Sequence, residues 1–228
     1  MTERLILFFL KYPLDFVSNF FLLLPVLAGL YRQKYLTIVL KLFVLIFLVR
    51  FIEESSLIYI ALTKANNIAE QKIYMLIDVL LIAIPYSLLF RHKTTYLRTT
   101  YFTGVAVGVT LLVYIIFFEQ TGLSGSVMRF FVIAIALLYY NLILAENKIK
   151  NILHHSMFWI NAGMLIYAMG TFMTFLFIDY LYDPLKVSDK TFDIFWNISQ
   201  LVICIQCVLT AIGMYFAKEE RTNKLSRI

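Results

Sequence analysis

The stretch Leu48-Val-Arg50-Phe-Ile-Glu53-Glu54-Ser55-Ser56 sets one guanidinium, two carboxylates and two hydroxyls inside a long apolar run. On a helix Arg50 shares a face with both acids, because Glu53 lies three positions on and Glu54 four. A charge at the centre of a spanning helix costs about 2.5–3.5 kcal/mol on insertion scales, so such side chains usually pair, turn inward and serve function. Asp78, in the next apolar run, adds a third acid. Arg50 then faces two carboxylates more than it can neutralise, and Arg129, a proton, a cation or a cationic ligand must offset them. Three chemistries fit this group. It can line a pocket for a small polar or cationic ligand, pass a proton or cation, or neutralise itself and fix helix register.

Other chemistries lack their residues. Cys204-Ile-Gln-Cys207 has a C-x-x-C spacing, but it sits in an apolar run with no other soft ligand, so a redox or metal role is not expected. His154-His155 and His92 lie in polar loops beside lysine and arginine, where a solvated or headgroup-facing position is expected. No apolar run carries a histidine, which argues against zinc held within the membrane. The last run has no lysine for a retinal Schiff base, and no nucleophile–base set or Gly-rich phosphate loop stands out. No enzyme activity, metal or cofactor is therefore expected.

The elements that must hold these residues are membrane helices. The chain is 61% apolar and only 15% charged, against about 45–50% and about 25% in ordinary soluble domains. Seven apolar runs, at 14–30, 36–62, 73–90, 99–118, 127–144, 157–178 and 192–216, each approach the length that crosses a bilayer. The fold class is an all-α membrane protein, with residues 1–228 forming one seven-transmembrane helix bundle. Leu5 to Tyr12 is too short to span and is expected at the interface. Met1-Thr-Glu-Arg4 offers no small-residue cleavage site, so no signal peptide is expected. Gly104-x-x-x-Gly108 suggests close helix packing within the bundle, with a dimer seam as the lesser reading.

Charge sets the orientation. Eleven lysines and arginines fall in the loops after the first, third and fifth runs and in the C-terminal tail, and seven fall on the opposite side. That bias places the N-terminus outside and the C-terminus in the cytoplasm. The net charge of +6 thus reflects topology and does not point to nucleic acid. At 1.5 Å per residue, Arg50 lies near the midplane, Glu53 and Glu54 about 5 Å outward of it, and Asp78 about 8 Å below the outer end of its helix. Arg129 and Asn197 enter from the same side, as do Glu119, Asp193, Trp196 and Gln200. Arg50, Glu53, Glu54, Asp78, Arg129 and Asn197 are therefore the expected ligand-binding residues of an outward-facing pocket. Tyr59 and Tyr74 near its mouth fit either interfacial aromatics or ligand contacts. The other half of the bundle is mostly apolar, apart from Lys41, Asn141 and Asn161.

Phe158-Trp-Ile-Asn161-Ala-Gly163-Met-Leu-Ile-Tyr167-Ala-Met-Gly170-Thr-Phe resembles a pattern in small seven-helix integral membrane proteins of the Bacteroidota. Tyr74-Met-Leu-Ile-Asp78 is similar to that family's Tyr-x-Leu-Ile-acid motif, and Trp196-Asn197 to Gly213-Met-Tyr215 to its last helix. The chain departs from the pattern at Gln206-Cys207, where an asparagine is expected. The resemblance implies a fold and a bacterial inner membrane rather than an activity. Some members look like sensory modules allied to histidine kinases, which implies a cytoplasmic signalling partner of that kind. The expectation is a non-enzymatic, receptor-like multi-pass sensor in the lipid bilayer. The alternatives are a transporter or proton/cation carrier, and a structural subunit pairing its charges with a partner helix.

Overall fold

Every apolar run folds as a helix in the computed structural model, which describes residues 2–63, 68–117, 122–146, 151–181, 183 and 185–225. The helices are α1 (Thr2–Lys11), α2 (Pro13–Phe21), α3 (Leu23–Tyr31), α4 (Ile38–Thr63), α5 (Ile68–Phe90), α6 (Thr94–Phe117) and α7 (Gly122–Glu146). A 3-10 turn at Ile152–His154 precedes α8 (Ser156–Leu176), short α9 (Ile178–Leu181) and α10 (Asp189–Leu225). Among the described residues there is no strand.

Prolines explain the irregular places. Pro13 opens α2 at a position whose N–H would have no helical partner. Pro25 cannot donate to the Phe21 carbonyl and its ring crowds that group. The chain turns at Leu22 just there, so α2 and α3 form one broken element. Pro85 lies inside α5 and frees the Leu81 carbonyl in the same way.

Among the described residues six helices are long and apolar enough to cross a membrane: Pro13–Tyr31, Ala69–Phe90, Thr94–Tyr114, Gly122–Ala145, Ser156–Leu176 and Asp189–Glu220. The protein is thus a multi-pass helical membrane protein by length and composition. α4 has the length, at 26 residues, but Lys41, Arg50, Glu53 and Glu54 make it too charged for that set. α10 runs 37 residues, or about 55 Å, well beyond a hydrocarbon core of about 30 Å.

The helices close into a ring. α4 packs between α3 and α5, α5 reaches α6 and α7, α7 meets α8, and α8 lies along α10. α10 returns to α2 and α3 and completes the circuit. The α8–α10 contact is close because glycines sit in it. A methyl group on Gly213 would come 2.6 Å from the Ser156 carbonyl oxygen, and one on Gly163 3.0 Å from that of Gln206. The Gly104–Gly108 pair does not play this part. A methyl on Gly108 would meet nothing within 4 Å, and one on Gly104 only the Phe131 ring at 3.7 Å. Phe43, Ile46, Tyr86, Phe90, Ile135 and Met164 fill the half of the ring nearer the C-terminus. α6 turns Phe102, Val105, Val109 and Ile116 outward, a surface suited to lipid acyl chains.

Candidate functional site

The half of the bundle nearer the N-terminus is not filled. A cavity of about 360 Å³ lies between α2, α4, α5, α7, α8 and α10, within the size range of small-molecule sites. Five of the six expected residues line it: Arg50, Glu53, Glu54, Asp78 and Arg129. Asn197 does not. On α10 the lining residues are Phe192, Trp196, Gln200, Ile203 and Gln206, a stripe at helical spacing, and Asn197 lies one residue off it. Glu119 lies outside the described residues.

Arg50 and Asp78 form the floor. Arg50 Nε donates to Asp78 Oδ1 at 3.0 Å and Nη2 to Oδ2 at 2.9 Å, a bidentate pair joining α4 to α5. The pair is nearly dry, with side-chain exposures of 7% and 14%. Neither Glu53 nor Glu54 bonds to Arg50 or to any other described side chain. Glu53 is only 7% exposed, and its Oε1 has no hydrogen-bond partner. Glu54 is exposed to the cavity and lies in the field of Asp78, Arg50, Asp15 and Arg129.

Arg129 does not offset the surplus of acids by pairing. Its Nε donates to Thr171 Oγ1 at 2.7 Å, Nη1 to the Gly125 carbonyl at 3.0 Å and Nη2 to the Tyr167 hydroxyl at 3.3 Å. The Phe175 ring covers its guanidinium at 3.3 Å. Tyr167 stands between the two cations, with its ring centroid 5.1 Å from the Arg50 guanidinium and 5.5 Å from that of Arg129. That geometry satisfies both charges partly through a π face.

The walls are tied by further hydrogen bonds. The Trp196 indole N–H donates to Asp15 Oδ1 at 2.8 Å, and Ser18 Oγ lies 2.6 Å from Gln200 Oε1, so α2 is fixed to α10. The hydroxyls of the opening motif do similar work. Asn19 Nδ2 donates to Ser55 Oγ at 3.0 Å, and Ser56 Oγ meets the Tyr74 hydroxyl at 2.7 Å. Tyr74 lines the cavity and Tyr59 does not. Asp15 is a site residue that sequence reasoning missed, because next to Pro13 it reads as an interruption of the first apolar run. Tyr167 was missed as well, although its place within a helix holding few polar groups was a usable signal. Gln206, where the resembled pattern departs, is fully buried against the cavity. It donates to Met164 Sδ at 3.0 Å and leaves its Oε1 without a partner.

Asn161 donates to the Ala136 carbonyl at 2.9 Å and accepts from the Tyr86 hydroxyl. Lys41 and Asn141 are on the surface. Cys204 and Cys207 are free thiols. The histidine loop is paired rather than simply solvated. His155 Nδ1 lies 3.3 Å from Glu220, its Nε2 2.7 Å from the Tyr139 hydroxyl, and His154 lies 3.6 Å from Glu219. Glu220 also accepts from the Ser156 N–H at 3.1 Å, where its charge suits the N-terminus of α8.

No protein-family model, curated protein or solved structure matches the chain.

Proposed function

We propose that the protein is a seven-span sensor that binds a small polar ligand in this cavity and passes the event to a cytoplasmic or membrane partner. In this reading α4 is the seventh span, the N-terminus lies outside and the C-terminus in the cytoplasm of a bacterial inner membrane. Support for α4 comes from its length of about 39 Å, its place between α3 and α5, and its buried charges. Support for the orientation comes from the eleven-to-seven bias of Lys and Arg. The partner, of histidine-kinase type, rests on the family resemblance alone.

The observation that carries the reading is the contrast between the two halves. A charged, aromatic-walled cavity occupies one, and Phe43, Ile46, Ile82, Tyr86, Ile135 and Met164 pack the other. A transporter needs a second arrangement that opens through that packed half. A sensor needs only a shift in helix contacts. Those contacts are present. Arg129 binds Tyr167 and Thr171 of α8, α8 lies along α10 over glycines, and α10 is longer than the bilayer core is thick.

The test is a thermal-shift screen of small polar compounds on the detergent-solubilised chain. A compound that stabilises the wild type should lose its effect in Glu54→Gln and in Ala61→Trp, which fills the cavity wall. Both variants should keep the wild-type helical circular dichroism. Stabilisation that survives both changes would refute the site. Uptake of the same compound into proteoliposomes would replace the sensor by a transporter.

A further inference from the structure

Resting on the ligand-site reading above, we infer that the ligand is a small organic cation, an ammonium or amidinium group on an aromatic or apolar body. Four carboxylates line the cavity, from Asp15, Glu53, Glu54 and Asp78, against the two guanidinium groups of Arg50 and Arg129. Both cations are already engaged. Arg50 is held through two nitrogens by Asp78, and Arg129 gives its bonds to a hydroxyl, a carbonyl and a phenol. Asp15 has one neutral donor, the Trp196 indole. Glu53 is more than nine-tenths buried with Oε1 unpartnered, and Glu54 faces the cavity. A buried carboxylate without a donor is costly, and a ligand bringing both N–H bonds and positive charge relieves that cost. An anion would deepen the surplus.

The walls specify the rest of the molecule. Tyr12, Tyr74, Phe192 and Trp196 supply aromatic faces, which attract cations and stack on aryl groups, and Leu57 and Ile58 supply apolar surface. Phe192 and Trp196 are themselves stacked at 5.9 Å, which holds one aromatic wall rigid. A bare metal ion would not use such walls. Among the described residues no group of three or more His, Cys, Asp or Glu is placed to hold one. A proton would neutralise Glu53, but it needs neither aromatic walls nor about 360 Å³ of space.

Three probes of one size separate these outcomes: 2-phenylethylammonium, 2-phenylethanol and phenylacetate. Each is titrated into the purified full chain, with melting temperature and tryptophan fluorescence as readouts. The ammonium compound alone should raise the melting temperature in a saturable way and change the Trp196 emission. Glu53→Gln and Glu54→Gln should each weaken it about ten- to a hundredfold, the usual loss for one charge-assisted hydrogen bond. Both substitutions keep side-chain shape, and circular dichroism checks that the variants fold. Binding of phenylacetate or phenylethanol but not of the ammonium compound would overturn the cation assignment and leave a ligand site standing. No response to any of the three would overturn the inference, and unliganded Gln variants as stable as the wild type would then assign the surplus charge to bound protons, since glutamine stands in for a carboxyl that is already neutral. Failure of the ligand-site reading itself shows separately, in stabilising compounds that ignore Glu54→Gln and Ala61→Trp.

Discussion

Removing Arg50 should cost far more than removing Asp78, although the two form one ion pair. Both side chains are nearly dry, so breaking the pair from either end would ordinarily cost about 3–5 kcal/mol. The surroundings make the two ends unequal. Arg50→Met leaves Asp78, Glu53 and Glu54 on the same wall with no engaged cation between them. Its cost should reach the full range of about 3–5 kcal/mol, with like-charge repulsion added. Asp78→Asn leaves Arg50 charged, but Glu53 is one turn away with an unpartnered oxygen. A rotamer change lets Glu53 take Asp78's place, and the asparagine carbonyl still accepts one bond. The cost should then fall to about 1–2 kcal/mol, toward the low end of what one hydrogen bond to a charged group contributes, because a replacement acceptor is at hand. For a chain of this size about 1 kcal/mol corresponds to roughly 2–4 °C in Tm. Arg50→Met should thus lose roughly 6–20 °C and Asp78→Asn roughly 2–8 °C, measured side by side in one detergent. In Asp78→Asn/Glu53→Gln the replacement partner is gone, so the double variant should approach the Arg50→Met loss. If Asp78→Asn alone is as damaging as Arg50→Met, Glu53 is not a free acceptor and the charge balance of the cavity differs from the one drawn above.

The helix contacts and the α2–α10 tie can be tested in the same way. Gly213→Ala should lower stability by about 1–3 kcal/mol through overpacking against the Ser156 carbonyl, read as a fall in Tm. Gly108→Ala, with open space around it, should instead gain about 0.5–1 kcal/mol from helix propensity, and a loss there would mean that α6 has a partner on that face. Trp196→Phe should cost about 1–3 kcal/mol by stranding Asp15 without its donor, whereas Asp15→Asn should cost less because the amide oxygen still accepts. Melting curves of the two variants test that order.

The spans were legible because a bilayer imposes length. An apolar run near twenty residues suits little besides a membrane crossing, and six of the seven runs are apolar helices of that length. Depth counting along these helices put Asp78 level with Glu53 and Glu54, about one turn outward of Arg50, and it is Asp78 that Arg50 meets. The partner within that level was not legible. Spacing at three and four residues made Glu53 and Glu54 the nearest acids to Arg50, but helical side chains lean toward the N-terminus. A cation N-terminal to its acids is the poorer order for such a pair, and Arg50 reaches across to α5 instead. Asn197 failed for a different reason. One residue along a helix is a turn of about 100°, so Trp196 and Gln200 can line a cavity that Asn197 misses. The His155–Glu220 contact joins residues far apart in sequence, and nothing local to either announces it.

In the proposed sensor, Tyr167 is the cavity's route to the rest of the molecule. Its ring is within reach of both guanidinium groups, and its hydroxyl takes one of Arg129's bonds. Any cation that draws Glu53 or Glu54 toward itself changes the field at Arg50, and the shared ring ties that change to Arg129. Arg129 in turn holds Thr171, so in that proposal the response would reach α8 at two successive turns. α8 cannot slide freely, because Gly163 and Gly213 put its backbone almost against α10. Close-packed helices respond by small concerted shifts rather than by local deformation. The far ends of α8 and α10 are fastened together through Ser156, His155 and Glu220. A displacement begun at Tyr167 therefore has to appear in the α10 extension or break that fastening.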